Sequence, residues 1–141
     1  MKKMLVILIF APIIGFSQSQ QVYEKVMGRF VSYYNAMQGD SIKAMWPYEK
    51  DMARWLDQSW SEKSLKEYYS EYGKIQSFGF LGIDKEDENP GLAVFKTKFS
   101  VAGGKTLSFT LDSAGHFGTF RFVTSSPGID KLLKAEKKKK N

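Results

Sequence analysis

Residues Gly91 to Val123, with the sequence GLAVFKTKFSVAGGKTLSFTLDSAGHFGTFRFV, decide the fold of this chain. They contain three runs in which apolar and polar residues alternate, and glycine-bearing turns separate the runs. This pattern is typical of an antiparallel meander, because successive residues of a strand point to opposite faces of a sheet. One face of the predicted sheet is apolar and carries Phe95, Phe99, Val101, Leu107, Phe109, Leu111, Phe120 and Phe122.

The turns between these runs contain glycine and polar residues. The pair Gly103–Gly104 indicates a tight hairpin between the first two runs, and Asp112–His116 indicates a looser one before the third. Phe117 and Phe120 are three positions apart, whereas strict alternation places inward side chains two apart. A β-bulge near Gly118 would turn both phenylalanines inward.

The residues upstream predict helices that could cover the apolar face. Gln21–Gln38 carries apolar residues at spacings of three and four, and Gly39 is a suitable helix end. Asp40 and Ser41 can cap a short second helix, and the residues around Trp55 indicate one or two further helical turns.

A capping box predicts a third helix. Ser59, with Glu62 three residues later, fits the capping pattern, and Gly73 fits the C-terminal end of the helix. Lys74–Ile83 then predicts a strand that its glycines bend or bulge. The acidic turn Asp84–Gly91 connects this strand to the meander.

The order of these elements predicts the fold class. Helices followed by a run of strands are typical of an α+β protein, in which the helices lie against one face of an antiparallel sheet. We therefore expect about three N-terminal helices packed on a curved antiparallel sheet of about four strands.

The N-terminus has the pattern of a secretory signal peptide, with two lysines, a short apolar run and small residues before a cut near Ser17. Residues 1–17 are therefore predicted to be removed, and the mature chain to be exported to the periplasm or the medium without a stable membrane span. Residues 18–125 then form one domain. The chain has no cysteine, which excludes disulfides and thiolate metal sites.

The formal charge of +6 lies at the two ends of the chain. Lys2 and Lys3 belong to the predicted signal peptide, and Asp130–Asn141 has six lysines against two acidic residues. Gln18–Ile129 is neutral, with 13 basic and 13 acidic residues. A nucleic-acid-binding domain should carry its excess positive charge on the folded body, so nucleic acid is not an expected partner. Residues 126–141 are predicted to form a lysine-rich tail, frayed from Asp130 onward.

Three segments resemble the nuclear transport factor 2-like superfamily, and in particular an uncharacterised secreted bacterial branch whose members elsewhere precede serine-hydrolase domains. These segments are FVSYYNAMQGDS (Phe30–Ser41), LKEYYSEYGKIQSF (Leu65–Phe78) and LSFTLDSAGHFGTFRF (Leu107–Phe122). The resemblance implies a cone-shaped α+β roll, in which helices fill the concave side of a bent sheet. It carries no catalytic signature.

We find no catalytic or metal-binding cluster in the sequence, and no cofactor is expected. His116 follows Asp112 in a predicted hairpin loop, and a solvated pair of this kind has no reason to be tuned for proton transfer. The acidic turn Asp84–Asn89 lacks the alternating oxygen ligands and the central glycine of a calcium loop. Both segments are expected to be polar turns.

The aromatic residues of the predicted helices are the candidate ligand-binding residues. Tyr33, Trp46, Trp55 and Tyr69 could line a pocket at the open end of a cone and bind a flat or sugar-like ligand. The same side chains could instead fill the core between helices and sheet, and the sequence leaves both alternatives open.

The sequence thus favours an exported binding or accessory module for an unknown small molecule or protein. One alternative is a small enzyme with Asp57 or Asp84 as an acid–base carboxylate in the cavity. Another is a dimerisation or scaffold domain, which could form a homodimer through the exposed sheet face that carries Lys96, Lys98, Thr106, Ser108 and Thr110.

Overall fold

Four helices precede the sheet in the computed structural model, which describes residues 19–140. The predicted signal peptide 1–17 lies outside these residues. The helices are α1 (Gln20–Asn35), α2 (Gly39–Lys43), α3 (Lys50–Ser59) and α4 (Glu62–Tyr72). Within residues 19–140, none of the helices combines the length and the apolar character that crossing a bilayer requires.

The sheet is an open antiparallel meander, and a fifth helix follows it. The strands are β1 (Ile75–Ile83), β2 (Ala93–Phe99), β3 (Gly103–Leu111) and β4 (Phe117–Arg121), paired in the order β1-β2-β3-β4. Helix α5 (Pro127–Lys140) completes the described chain. The predicted α+β class is confirmed, with four N-terminal helices instead of about three.

The apolar face of the sheet packs against the helices, as its sequence pattern predicts. Phe30 of α1 is fully buried, and its ring centroid lies 5.1 Å from that of Phe120 and 5.7 Å from that of Trp60. The predicted bulge is present: Phe109 pairs with Phe120 and Leu111 with Phe117, so four residues of β4 lie opposite three residues of β3. Both phenylalanines therefore reach the core.

The β2–β3 hairpin differs from the prediction. Phe99 pairs with Gly103, so the connection consists of residues 100–102, and Gly103 opens β3 with a φ of +78°. Val101, expected on the apolar face, is 67 % exposed. Its backbone N–H donates to the carbonyl of Tyr72 at the end of α4, so Val101 lies in the turn and does not pair within the sheet.

Two predicted helix boundaries are also wrong. Helix α1 ends at Asn35, and Met37 takes the left-handed conformation (φ +58°) that we assigned to Gly39. Gly39 instead begins α2, where a Cβ atom would lie 2.4 Å from the carbonyl oxygen of Trp60. Ser61, not Ser59, caps α4, and its Oγ accepts from the N–H of Ser64 at 3.1 Å.

The lysine-rich tail, expected to fray, forms α5 on the opposite face of the sheet. Leu132 lies over Gly82, where a Cβ atom would come within 2.8 Å of the leucine side chain. Ile129 is buried, as are Leu92 and Val94, and these three residues lie outside the main core. Burial of this second, small apolar cluster explains why the tail is ordered.

The N-terminus of α5 is held by a buried carboxylate. Ser126 caps the helix by accepting from the N–H of Ile129 at 3.1 Å, and its hydroxyl donates to Asp84 at 3.0 Å. Asp84 is only 2 % exposed, and Gly128 lies so close to it that a Cβ there would overlap the carboxylate. A carboxylate at this position also complements the positive end of the helix.

The face covered by α5 is the one we expected to be exposed. Ser108 is fully buried and Thr106 nearly so, and Thr106 exchanges hydrogen bonds with the backbone of Thr124 just before the helix. Lys96 and Lys98 stay exposed. The outer sheet face is therefore only partly open, which corrects the expectation of a bare face available for dimerisation.

The acidic turn Asp84–Gly91 contacts the edge strand β4 on the same face of the sheet. Arg121 of β4 forms an ion pair with Asp87, and the side chain of Thr119 donates to Asn89 at 3.2 Å. The guanidinium of Arg121, together with hydrogen bonds from Asn89, lowers the pKa of Asp87 to about 2. The turn is thus tied to β4 and is part of the folded body.

Candidate functional site

Two of the predicted ligand-binding residues come together at one end of the molecule. Trp46, in the turn after α2, and Trp55, on α3, meet edge to face with ring centroids 5.9 Å apart. Trp46 is buried, whereas Trp55 is 47 % exposed. They line a cleft of about 380 Å³, together with Glu49, Asp51, Met52, Gly118 and Phe120. We call this group the tryptophan cleft.

The tryptophan cleft has a rigid apolar wall. The ring centroid of Trp46 lies 4.8 Å from that of Phe117 and 5.4 Å from that of Phe120. The backbone N–H of Phe117 donates to the carbonyl of Met45 at 2.9 Å, which joins the turn after α2 to the start of β4. The wall is therefore preformed by the core and needs no ligand to assemble it.

Carboxylates lie beside the aromatic wall. Glu49 caps the N-terminal end of α3 through its backbone, and Asp51 lies in the first turn of that helix. Both side chains are exposed and line the tryptophan cleft. A cleft with aromatic rings on one side and hydrogen-bond acceptors on the other can hold a ligand that has both an apolar face and hydroxyl groups.

A second cleft, of about 390 Å³, lies on the other side of the segment Trp46–Glu49. Its polar wall is the ion pair between Lys43 and Asp57, whose Nζ and Oδ1 atoms are 3.1 Å apart. Tyr48 lines it and is 88 % exposed. Asp57 therefore has a cationic partner and an exposed position.

Tyr33 lines a third, smaller cleft of about 170 Å³. Arg29 and Ser41 line it too, and so does His116 of the β3–β4 loop. Nδ1 of His116 lies 3.7 Å from the carboxylate of Asp112, and both side chains are 41 % exposed. The loop is built around Asp112, whose Oδ1 accepts from the N–H groups of Ala114 and His116 at 2.9 Å. The candidate residue Tyr33 thus shares a cleft with His116, which the sequence predicted to lie in a polar turn.

Tyr69, the fourth candidate, does not line the tryptophan cleft. Its ring stacks on that of Tyr34, with centroids 5.7 Å apart. Tyr34 is fully buried and donates to the carbonyl of Gly73 at 2.9 Å, and burial raises its pKa well above the usual value. This part of the aromatic set fills the space between helices and sheet.

The two carboxylates considered for acid–base chemistry lie apart from the tryptophan cleft. Asp57 pairs with Lys43, as described above. Asp84 is buried, but its oxygens accept from Ser126 and from the N–H of Glu86 at 3.0 Å, so it holds the start of α5 and the acidic turn. Within residues 19–140, no three His, Asp or Glu side chains are close enough to hold a metal ion.

Several residues of the tryptophan cleft were not among our candidates. Phe120 is expected on the apolar face of the sheet, and the sequence does not single out Glu49, Asp51 and Met52 as ligand-binding residues. A signal was available in Pro47, which cannot continue a helix and lies between α2 and α3, so that Trp46 falls in the turn that borders the cleft.

The chain matches no protein-family model, and neither a curated protein nor a solved structure matches it. The structure therefore defines an α+β protein with N-terminal helices and a four-stranded antiparallel sheet, without a family assignment.

Proposed function

We propose that this chain is an exported binding module, and that the tryptophan cleft holds a ring of a neutral carbohydrate. The observation that carries the proposal is the half-exposed Trp55, which is held edge to face against the buried Trp46 beside two exposed carboxylates. A sugar ring presents C–H groups on its flat side and hydroxyl groups on its rim, so it matches both parts of this cleft.

Exposure of Trp55 supports this proposal. A tryptophan that served only the core would be expected to bury most of its ring, as Trp46 and Trp60 do. Trp55 instead is half-exposed on α3, and its ring extends the aromatic wall that Trp46 and Phe120 form. Exposing a large aromatic residue to water costs free energy that ligand binding recovers.

The proposed location and kinship rest on the sequence. The signal-peptide pattern of residues 1–17 supports export, and the three quoted segments support kinship with the nuclear transport factor 2-like superfamily. A helix-covered antiparallel meander is compatible with such a roll. In that fold the tryptophan cleft would correspond to the open end of the cone.

Affinity electrophoresis through gels that contain a soluble β-glucan, a xylan or a galactomannan tests the proposal. We expect at least one of these polysaccharides to retard the chain. Trp55→Ala should weaken that retardation by roughly ten-fold in Kd, equivalent to about 1.4 kcal/mol. Glu49→Gln and Asp51→Asn should weaken it by smaller factors, because each removes only part of the charge that accepts hydroxyl hydrogen bonds.

Val101→Ala is the matched control, because Val101 is also an exposed apolar residue but lies in the β2–β3 turn. It should bind like the unaltered chain. Equal retardation of the unaltered chain and Trp55→Ala would contradict the proposal, and so would an absence of retardation in all three gels. Circular dichroism of each variant establishes that a loss of binding is not a loss of fold.

A further inference from the structure

Helix α5 presents a row of lysines to solvent. Ile129, Leu132 and Glu136 share the side that faces the sheet, where Glu136 pairs with Lys96 at 2.6 Å. Lysines at spacings of three and four occupy the opposite side of a helix with this register. These exposed residues are Lys131, Lys134 and Lys138.

Within residues 19–140, four of the six lysines of α5 have no acidic partner. Lys131 pairs with Glu86 at 2.9 Å, and Lys140 lies 3.7 Å from Glu136. Among residues 19–140, no carboxylate lies within salt-bridge distance of four others, which are Lys134, Lys137, Lys138 and Lys139. The rest of the described chain is balanced in charge, so the net positive charge is concentrated on this one helix.

The C-terminal end of α5 lies beside the β2–β3 hairpin. Lys140 and Glu136 line a groove of about 450 Å³ together with Lys98 of β2 and Gly104 of β3. Lys98 and Gly104 pair directly across the hairpin, three residues on either side of Val101. The hairpin whose tip carries the exposed Val101 thus adjoins the C-terminal end of α5 through Lys98 and Gly104.

We propose that α5 and the β2–β3 hairpin form a docking surface for an anionic phospholipid bilayer. Unpaired lysines are attracted to anionic headgroups, and an exposed valine can enter the interfacial region between them. A nucleic acid fits this surface less well, because α5 contains no arginine for bidentate phosphate contacts and no aromatic ring for stacking on bases. The tryptophan cleft is a separate surface, so this inference does not depend on the proposed carbohydrate binding.

Vesicle flotation tests the proposal. The full chain is mixed with phosphatidylcholine vesicles that contain 0 or 30 % phosphatidylglycerol, and the measured quantity is the ratio of the two partition coefficients. The ratio isolates the electrostatic part of binding, because the apolar N-terminal run is the same in every variant. We expect the unaltered chain to prefer the anionic vesicles, and 0.5 M salt to abolish this preference.

Variant 1 replaces Lys134, Lys137, Lys138 and Lys139 by Gln, and should lower the ratio at least roughly ten-fold, since each lysine near an anionic surface contributes a factor of about five. The control replaces four exposed lysines elsewhere, Lys25, Lys50, Lys63 and Lys85, by Gln and has the same net charge. It should keep most of the preference. Val101→Ser should lower binding to anionic vesicles by a factor of about four, which corresponds to one buried methylene group.

Three results would overturn the proposal. The first is an equal ratio for the unaltered chain and variant 1, and the second is an equal loss in variant 1 and its control. The third is that the unaltered chain binds a single-stranded oligonucleotide but not anionic vesicles, and that variant 1 no longer binds the oligonucleotide. Circular dichroism of variant 1 checks that α5 still forms, and glutamine preserves helix propensity closely enough for that comparison.

Discussion

The side-chain amide of Asn35 pairs with the backbone of Ile75 as a neighbouring strand would. Its Nδ2 donates to the carbonyl of Ile75 at 2.9 Å, and its Oδ1 accepts from the N–H of Ile75 at 2.8 Å. Ile75 is the first residue of β1, and the preceding residue of α1, Tyr34, bonds the carbonyl of Gly73. Two adjacent residues at the end of α1 therefore fix the junction where the helical half of the chain becomes the sheet.

Asn35→Leu should lower the free energy of unfolding by about 2 kcal/mol, because it leaves both backbone groups of a buried residue without partners. Urea denaturation measures the change. Gln38→Leu is the control, since Gln38 is an exposed polar residue just beyond the same helix. The prediction is contradicted if both variants unfold at the same urea concentration.

Gly39 should be intolerant of any side chain, for a reason unrelated to turn conformation. A Cβ atom there would lie 2.4 Å from the carbonyl oxygen of Trp60, and a backbone atom cannot move aside as a flexible side chain can. Gly39→Ala is therefore expected to cost about 1–3 kcal/mol of stability through overpacking.

The control for this substitution is Gly79→Ala in β1, where a Cβ would meet nothing within 4 Å. It should be neutral or slightly stabilising, because alanine restricts the unfolded chain more than glycine does. Thermal unfolding compares the melting temperatures of Gly39→Ala and Gly79→Ala. Equal melting temperatures would contradict the prediction, because they would mean that the backbone at Trp60 moves to accommodate the new methyl group.

The sequence predicted the structural features that depend on neighbouring residues, and it missed those that depend on contacts between distant residues. Alternation and its one interruption were enough to predict the meander and the bulge that turns Phe117 inward. Helix α5 was missed because its docking needs the absent side chain of Gly82 and the carboxylate of Asp84, about forty residues away. No local pattern near Asp130 contains that information.

The candidate site was predictable to the same limited extent. Composition indicated that tyrosine and tryptophan on the helices could bind a ligand, but not which of them share a surface. Trp46 and Trp55 meet because the turn that contains Pro47 brings α3 back toward α2, where Lys43 pairs with Asp57, and because Trp46 packs against Phe117 of β4. Tyr69 has the same chemistry and helical setting, yet its ring stacks on Tyr34.

Stability should fall in acid through the ion pair of Asp87 and Arg121. The pKa of Asp87 in the folded chain, about 2, lies below its ordinary value of 3.8. The pair therefore contributes its full stabilisation above about pH 4, and this contribution is lost as the pH falls toward 2. Glu136, whose pKa Lys96 lowers, changes stability in the same direction.

Asp87→Asn isolates the contribution of Asp87, because asparagine cannot titrate and leaves Glu136 unchanged. Urea unfolding at pH 6, 4 and 2.5 should give curves for the two chains that differ at pH 6 and converge at pH 2.5. A constant difference at all three pH values would mean that the pair does not depend on ionisation of Asp87.

The attachment of α5 should reveal itself as an energetic coupling between Gly128 and Asp84. A Cβ on residue 128 would lie 1.8 Å from Oδ1 of Asp84, so Gly128→Ala must push the helix away from the sheet or displace the carboxylate. Asp84→Ala alone removes the acceptor for Ser126 and should also destabilise the chain.

The two changes together should cost less than the sum of the single changes, by about 1–2 kcal/mol, because removal of the carboxylate makes room for the new methyl group. A double-mutant cycle by urea unfolding measures this difference. Val94 and Ser108 are buried on the sheet face that α5 covers, so hydrogen exchange at their backbone amides reports whether α5 has detached. Strict additivity with unchanged exchange would mean that α5 does not depend on the contact with Asp84.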